Sequence, residues 1–271
     1  MARVVGSGHV TTEVRSGSPG FRSTPSGKQV HWTQKAVTIY IDSSLKQLGP
    51  SADEAVMQAF GQWVGSDPQL PDLSFDTGKT SAEPKQDGMS TVSLAKIQVP
   101  GHEHDVAITV TYSNDKTGEI VEADVVLNAL YPMGTLTAKA PGASNGTGKN
   151  QNDDKSHDDW RSHDESIDCG NRYDAQNVVT HEAGHFFGLG EDMTERKATM
   201  FLSIDQCETH KRVLSATDTT AITTLYAANQ DPEEATAGRR ACSFGVAPAA
   251  GSAWISGLMA GLLLLRRRRA R

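Results

Sequence analysis

The chain has 271 residues, 37% of them hydrophobic, which is enough for one sizeable core with appendages and excludes a wholly disordered protein. Its formal charge of -7 hides an asymmetry: residues 239–271 hold seven arginines and no acid, so the rest is strongly acidic, which argues against a nucleic-acid partner. Of three cysteines, Cys169, Cys207 and Cys242, none forms a C-x-x-C pair, so a thiolate zinc knuckle and a thioredoxin-type motif are excluded.

Residues 1–29 are rich in Gly, Ser, Thr and Pro without periodicity and read as a flexible lead-in. The opening "MARVVGSGHVTTEVRSG" lacks the apolar core of a secretory signal, so export would need an earlier start or another route. "AVTIYID" (36–42) alternates like a strand. "SADEAVMQAFGQWV" (51–64) predicts a helix with Ser51 as N-cap, Glu54 three residues on, and Ala55, Val56, Ala59, Phe60 and Trp63 along one face. Four β-branched runs follow at 73–76, 90–99, 105–113 and 118–129, the last two joined by the hairpin sequence "NDKTG".

Residues 141–168 carry seven acids against three bases with no apolar period, and read as an acidic surface loop inserted in the domain. Asp153, His157, Asp158 and His163 are weak metal candidates there, since no EF-hand spacing is present. "RYDAQNVVTHEAGHFFGLG" (172–190) reads as one helix stopped by glycine. "LSATDTTAITTLYAA" (214–228) predicts a last helix, with Ser215 and Asp218 placed as a capping box.

The chemistry concentrates in "THEAGHFFGLGED" (180–192). On a helix, His181 and His185 project from one face a turn apart, close enough to share one tetrahedral ion. Glu182, beside the first of them, is placed to take a proton from an attacking water rather than to bind the metal. A disulfide between Cys169 and Cys207 would bridge the segments on either side of this motif and leave Cys242 odd; three buried free thiols are the equal alternative.

These residues resemble the metzincin metallopeptidases, nearest to the matrixin-like branch, whose pattern H-E-x-x-H-x-x-G-x-x-H is matched in register by His181, Glu182, His185 and Gly188. The resemblance implies a zincin-type α+β fold with a twisted mixed β-sheet, an active-site helix, and a small C-terminal subdomain holding a Met-turn and a final helix. It implies Zn2+ as cofactor, Met200 as the Met-turn methionine, "VHWTQKAVTIYID" and "DEAVMQAFGQWV" as first strand and helix, and "GEIVEADVVLNA" (118–129) as the edge strand along the substrate cleft. The departure is at position 191, where Glu191 replaces the third histidine; oxygen is an acceptable zinc ligand. Asp192 is the alternative third ligand, and a site with no third protein ligand is also open. A distant glutamate such as Glu208 is a further alternative, disfavoured by Gly188 and Met200. His102 and His104 in "GHEHD" alternate like a structural zinc pair, or lie in an exposed polar loop.

From Ala241 to Leu265 no residue is charged, and five of the last six residues are arginine. Such a run can just span a bilayer core, and the arginines would stay cytoplasmic. The tail resembles the C-terminal sorting signals of myxobacterial surface proteins, which implies delivery to the cell surface with Cys242 as the processing or attachment point. The expected domains are therefore a lead-in (1–29), a matrixin-like metallopeptidase domain (30–230) and a linker with sorting or transmembrane tail (231–271). The expected activity is zinc-dependent endopeptidase action by a monomer on extracellular protein or peptide substrates, with contact to the membrane through the tail. A catalytically silent zinc-containing surface adhesin is the alternative.

Overall fold

In the computed structural model, the structure describes residues 20–78, 80–137 and 169–229. A five-stranded sheet is built from β1 (Ala36–Asp42), β2 (Asp72–Gly78), β3 (Ser90–Ala95), β4 (Ala107–Ser113) and β5 (Ile120–Asn128), in the order β2-β1-β3-β5-β4. All neighbours are parallel except β4 and β5, which form the antiparallel hairpin expected around "NDKTG". The strands differ from their sequence runs at the ends: 73–76 extends to Asp72–Gly78, 90–99 pairs only to Ala95, 105–113 only from Ala107, and 118–129 shortens to Ile120–Asn128.

The edge-strand expectation is overturned. β5 is not the edge strand: it lies between β3 and β4 and is buried along nearly its whole length, and β4 is the edge. Its near-continuous apolar run, "IVEADVVLN", is what an interior strand with both faces covered requires. The two acids in that run are accounted for by the loop before β3 and the start of β3 itself. Glu122 accepts the N–H groups of Asp87 and Gly88, and Asp124 those of Lys85 and Thr91.

Two helices form a layer against the sheet. In α1 (Ala52–Val64) the residues Ala55, Val56, Ala59, Phe60 and Trp63 are buried, as their spacing requires. Ser51 stands at the N-cap but its hydroxyl makes no capping bond, and Glu54 instead accepts from Gln58. The Trp63 Nε1–H donates to the Thr180 carbonyl at 2.8 Å, and Phe60 packs edge-on against Phe186 at 5.1 Å. These contacts fix α1 against α2 (Ala175–Phe186).

The helix expected over 172–190 is shorter at both ends. Tyr173–Asp174 forms a short strand β7, paired with β6 (Met133–Gly134), and Asp174 caps α2 by accepting the Asn177 N–H. At the other end the Gly188 N–H bonds the His185 carbonyl and the Leu189 N–H bonds that of Gly184, a Schellman reversal about Gly188 at φ +102°. The chain so turned runs back along residues 20–22, and those residues overturn part of the lead-in reading. Phe21 pairs antiparallel with Leu189, Ser23 pairs with Gln29, and Phe21, Arg22 and Thr24 are buried.

The C-terminal subdomain ends in α3 (Ala216–Ala228), where Ser215 and Asp218 form the expected capping box. Cys169 and Cys207 are joined in a disulfide that closes a loop of 38 residues around α2 and the segment after it. Among the described residues no helix is long and apolar enough to cross a membrane; the 141–168 loop, the tail and Cys242 lie outside them.

Replacing Gly188 tests the reversal. A Cβ there would sit 2.1 Å from the Val30 carbonyl oxygen, on a backbone conformation disfavoured for any side chain. Gly188→Ala should cost at least about 2 kcal/mol in chemical denaturation, and a loss under about 0.5 kcal/mol would contradict this account of the turn.

Candidate metal centre

The cluster is assembled by α2 and the reversal after it. His181 and His185, four residues apart on one helix face, meet edge to face with ring centroids 4.8 Å apart. The Gly188 turn then returns Glu191 to the same face. Its carboxylate straddles the pair, Oε1 at 3.2 Å from His185 Nε2 and Oε2 at 3.5 Å from His181 Nε2. Among the described residues this is the one group of three His, Cys, Asp or Glu side chains close enough together to hold a metal ion.

The hydrogen bonds around the rings say what belongs between them. His181 Nδ1 lies 2.7 Å from the Thr199 carbonyl and His185 Nδ1 lies 2.9 Å from that of Leu189. A carbonyl can only accept, so each Nδ1 carries the proton, and in the neutral tautomer each Nε2 presents a lone pair toward Glu191. Three acceptors facing one another need a cation. Among the described residues Glu191 Oε2 is buried and accepts no hydrogen bond, which leaves it free to serve as a metal ligand. Donor atoms about 2.0–2.2 Å from a tetrahedral zinc stand roughly 3.3–3.6 Å apart, close to both Glu191 separations. The residues therefore fit Zn2+.

At position 191 the glutamate carboxylate reaches both rings, one oxygen to each. Asp192 answers the alternative: its Oδ1 accepts from the Thr194 N–H (2.7 Å), the Thr194 hydroxyl (2.9 Å) and the Glu195 N–H (2.9 Å), so it closes its own turn and stays out of the cluster. Glu208 is likewise elsewhere, accepting the Asp205 N–H beside His210. His102 bonds Asp105, and neither it nor His104 joins a metal-sized group. Asp153, His157, Asp158 and His163 lie outside the described residues.

Met200 lies beneath the cluster, fully buried. A Cβ on Gly184 would fall 2.1 Å from its sulfur, so glycine within the H-E-A-G-H run is what lets the methionine reach the helix. Asp218 holds the turn in place: one carboxylate takes the N–H groups of Thr199 (2.8 Å) and Met200 (3.1 Å) while also capping α3. That second duty of the capping residue is not visible in sequence.

Two buried cations were also missed. Lys211 donates to the Phe201 and Ser203 carbonyls just past the Met-turn. Arg22, in what read as a flexible lead-in, reaches β4 and donates to the Thr109 carbonyl (3.2 and 3.3 Å) and the Thr111 hydroxyl (2.9 Å). Burial lowers the pKa of both groups below their ordinary values, offset only in part by nearby acids, Glu182 and Glu191 for Arg22 and first Glu208, then Glu191, for Lys211. Glu182 itself is buried, and its Oε2 accepts the Thr109 hydroxyl at 2.6 Å.

Both imidazoles on the helix behind the sheet, followed at once by a glycine reversal that brings the third donor home, is the arrangement of the metzincin-type zinc metallopeptidases. The matrixin family profile matches residues 31–227, and the chain belongs to that family. No curated protein matches its sequence.

Two outcomes follow for metal binding. Loss of an outer-shell partner alone costs about 10–100-fold in affinity, so Glu191→Ala should weaken zinc binding by more than about a hundredfold. Asp192→Asn should leave it within about threefold; the reverse ranking in a chelator competition would move the ligand to Asp192. Burial lowers the pKa of His185, but the charge and hydrogen bond of Glu191 more than offset it, leaving a net upward shift. The metal-free site thus holds a proton to higher pH than an ordinary histidine, and zinc must displace it. Affinity should fall as pH drops from 8 to 6, approaching about tenfold per unit at the acid end; a flat profile over that window would refute this.

Proposed function

We propose that this matrixin is a zinc-dependent endopeptidase of the cell surface, cleaving peptide bonds in extracellular proteins. The observation that carries the reading is Glu182, a buried carboxylate next in sequence to the first histidine of a cluster whose remaining donors all converge on one point. His181, His185 and Glu191 would hold the ion. When bound, zinc acidifies water and polarises a carbonyl. Glu182 would accept the proton of the attacking water and pass it to the leaving amine, so the water's oxygen ends on the acyl carbon and its protons on the two products. A carboxylate third ligand offsets more of the ion's charge than an imidazole does, which makes the work of Glu182 as base more demanding.

The surface location rests on two features. The apolar run and arginine cluster after Cys242 fit a membrane-retained tail with the body outside, and the Cys169–Cys207 disulfide fits an oxidising compartment. Protease added to intact cells should then degrade the protein, and full protection would count against it.

Glu182→Ala is the test of the chemistry. It should retain stoichiometric zinc and lose about 10²–10⁴-fold in kcat/KM on a generic protein or peptide substrate. Undiminished turnover would reject Glu182 as the base. Zinc-loaded wild type that cleaves nothing would support a silent surface-binding module instead.

A further inference from the structure

A buried guanidinium with no carboxylate in contact is costly, and a protein that retains one has arranged something with it. Among the described residues Arg22 is such a group. Its donors meet neutral oxygens, the Thr109 carbonyl and the Thr111 hydroxyl, while Glu182 and Glu191 are felt only at longer range. It lies outside the stretch matched by the family profile.

Its backbone is equally committed. The Arg22 N–H bonds the Gly188 carbonyl at 2.9 Å and the Gly20 N–H bonds the Glu191 carbonyl at 3.1 Å, so residues 20–22 form a strap along the segment that delivers Glu191. From that strap the Arg22 side chain crosses to edge strand β4. Asn128 donates to Val106, so the next pairs outward, Ala107 and then Thr109 and Thr111 at every second residue, turn their backbone groups away from β5. The guanidinium forks onto the outward carbonyl of Thr109 and fixes this edge where it passes α2. The Thr109 hydroxyl then lies 2.6 Å from Glu182 Oε2 and 3.0 Å from the Glu182 carbonyl oxygen; the shorter contact, to a charged acceptor, is the stronger.

We propose that Arg22 and Thr109 are positioning residues for Glu182: Arg22 locks the edge of β4, and Thr109 holds Oε2 so that Oε1 is presented to the attacking water. The inference rests on the peptidase reading above and deepens it. Neither residue belongs to the metal-sized group of His181, His185 and Glu191. A floating carboxylate would reach the water in only a fraction of its rotamers, and one oxygen held by a hydroxyl restricts it to the productive set. The strap thereby serves two ends of the centre, the Glu191 backbone directly and Glu182 through β4.

The test uses the full chain, loaded with zinc for turnover and with Co2+ for spectroscopy. Loss of a hydrogen bond to a charged group is worth about ten- to a hundredfold in rate. Thr109→Val should lower kcat by that factor with KM within about threefold, and Thr109→Ser should restore it. Arg22→Met should act in the same direction, and the double variant should be no worse than the weaker single one within about threefold. In a Glu182→Ala background neither change should reduce the residual rate further.

Acetohydroxamic acid supplies a readout free of turnover, because a carboxylate held beside the metal favours its chelation by taking up the N–OH proton. Titrated into the Co2+ protein and followed by the visible spectrum, it should bind about tenfold or more weakly to Thr109→Val and Arg22→Met, with zinc affinity unchanged within about threefold. Wild-type acetohydroxamate affinity in Thr109→Val, failure of serine to rescue, or further loss in the Glu182→Ala background would overturn the relay. Full turnover by Glu182→Ala would instead sink the peptidase reading, and the acetohydroxamate arm would still decide the relay on its own. Should Arg22→Met fail to fold, Thr109→Val and Thr109→Ser carry the test.

Discussion

Two imidazole rings each give their one proton to a backbone carbonyl, and that single allocation dictates the rest of the centre. With the Nδ1 protons on Thr199 and Leu189, the Nε2 lone pairs converge on a carboxylate, and the site is electrostatically incomplete until a proton or a cation enters it. The upward shift of His185 is the protonic version of that need, and zinc is the metallic one. Much of the surrounding structure serves to keep those two carbonyls and that carboxylate where they are.

The three supports come from different parts of the chain. Thr199 is held by Asp218, which anchors the Met-turn to α3, so the last helix reaches the first ligand through two hydrogen bonds. Leu189 follows the Gly188 reversal, which has room only because no Cβ meets the Val30 carbonyl. Glu191 is carried between the strap at Gly20 and the pairing of Asp192 with Met200 and Phe201. The disulfide closes the same region covalently by tying the entry of α2 to the loop beyond Phe201. Charge is arranged at longer range, with Arg22 and Lys211 both buried within electrostatic reach of Glu182 and Glu191.

The parts legible in sequence are those set by local periodicity and short spacing. The i, i+4 histidines, the glycine stop, the Ser215–Asp218 cap, the buried face of α1 and the candidate position of Glu191 are all properties of neighbours along the chain. What was illegible depends on contacts between distant segments. "IVEADVVLN" does not reveal whether a strand is interior or at an edge, because a run apolar on both faces fits either until its neighbours are known; pairing with β3 on one side and β4 on the other decides it. Glu191 and Asp192 are adjacent acids with equal claim in one dimension. Only the turn closed by Asp192 removes one of them. Arg22 sits among Gly, Ser, Thr and Pro, a composition that reads as loose, and its partner Thr109 lies 87 residues away.

The central claim is that a carboxylate, Glu191, completes a two-histidine metal site in the place where a third imidazole is usual for this arrangement. X-ray absorption at the zinc edge of the metal-loaded protein addresses it most directly, since imidazole rings leave a multiple-scattering signature that carboxylates lack. The account predicts a first shell of light N/O donors near 2.0–2.1 Å with two imidazoles, falling to the same two imidazoles with only solvent oxygen in Glu191→Ala. A three-imidazole signature in the wild type, or a Glu191→Ala protein whose first shell keeps a carboxylate donor, would contradict it.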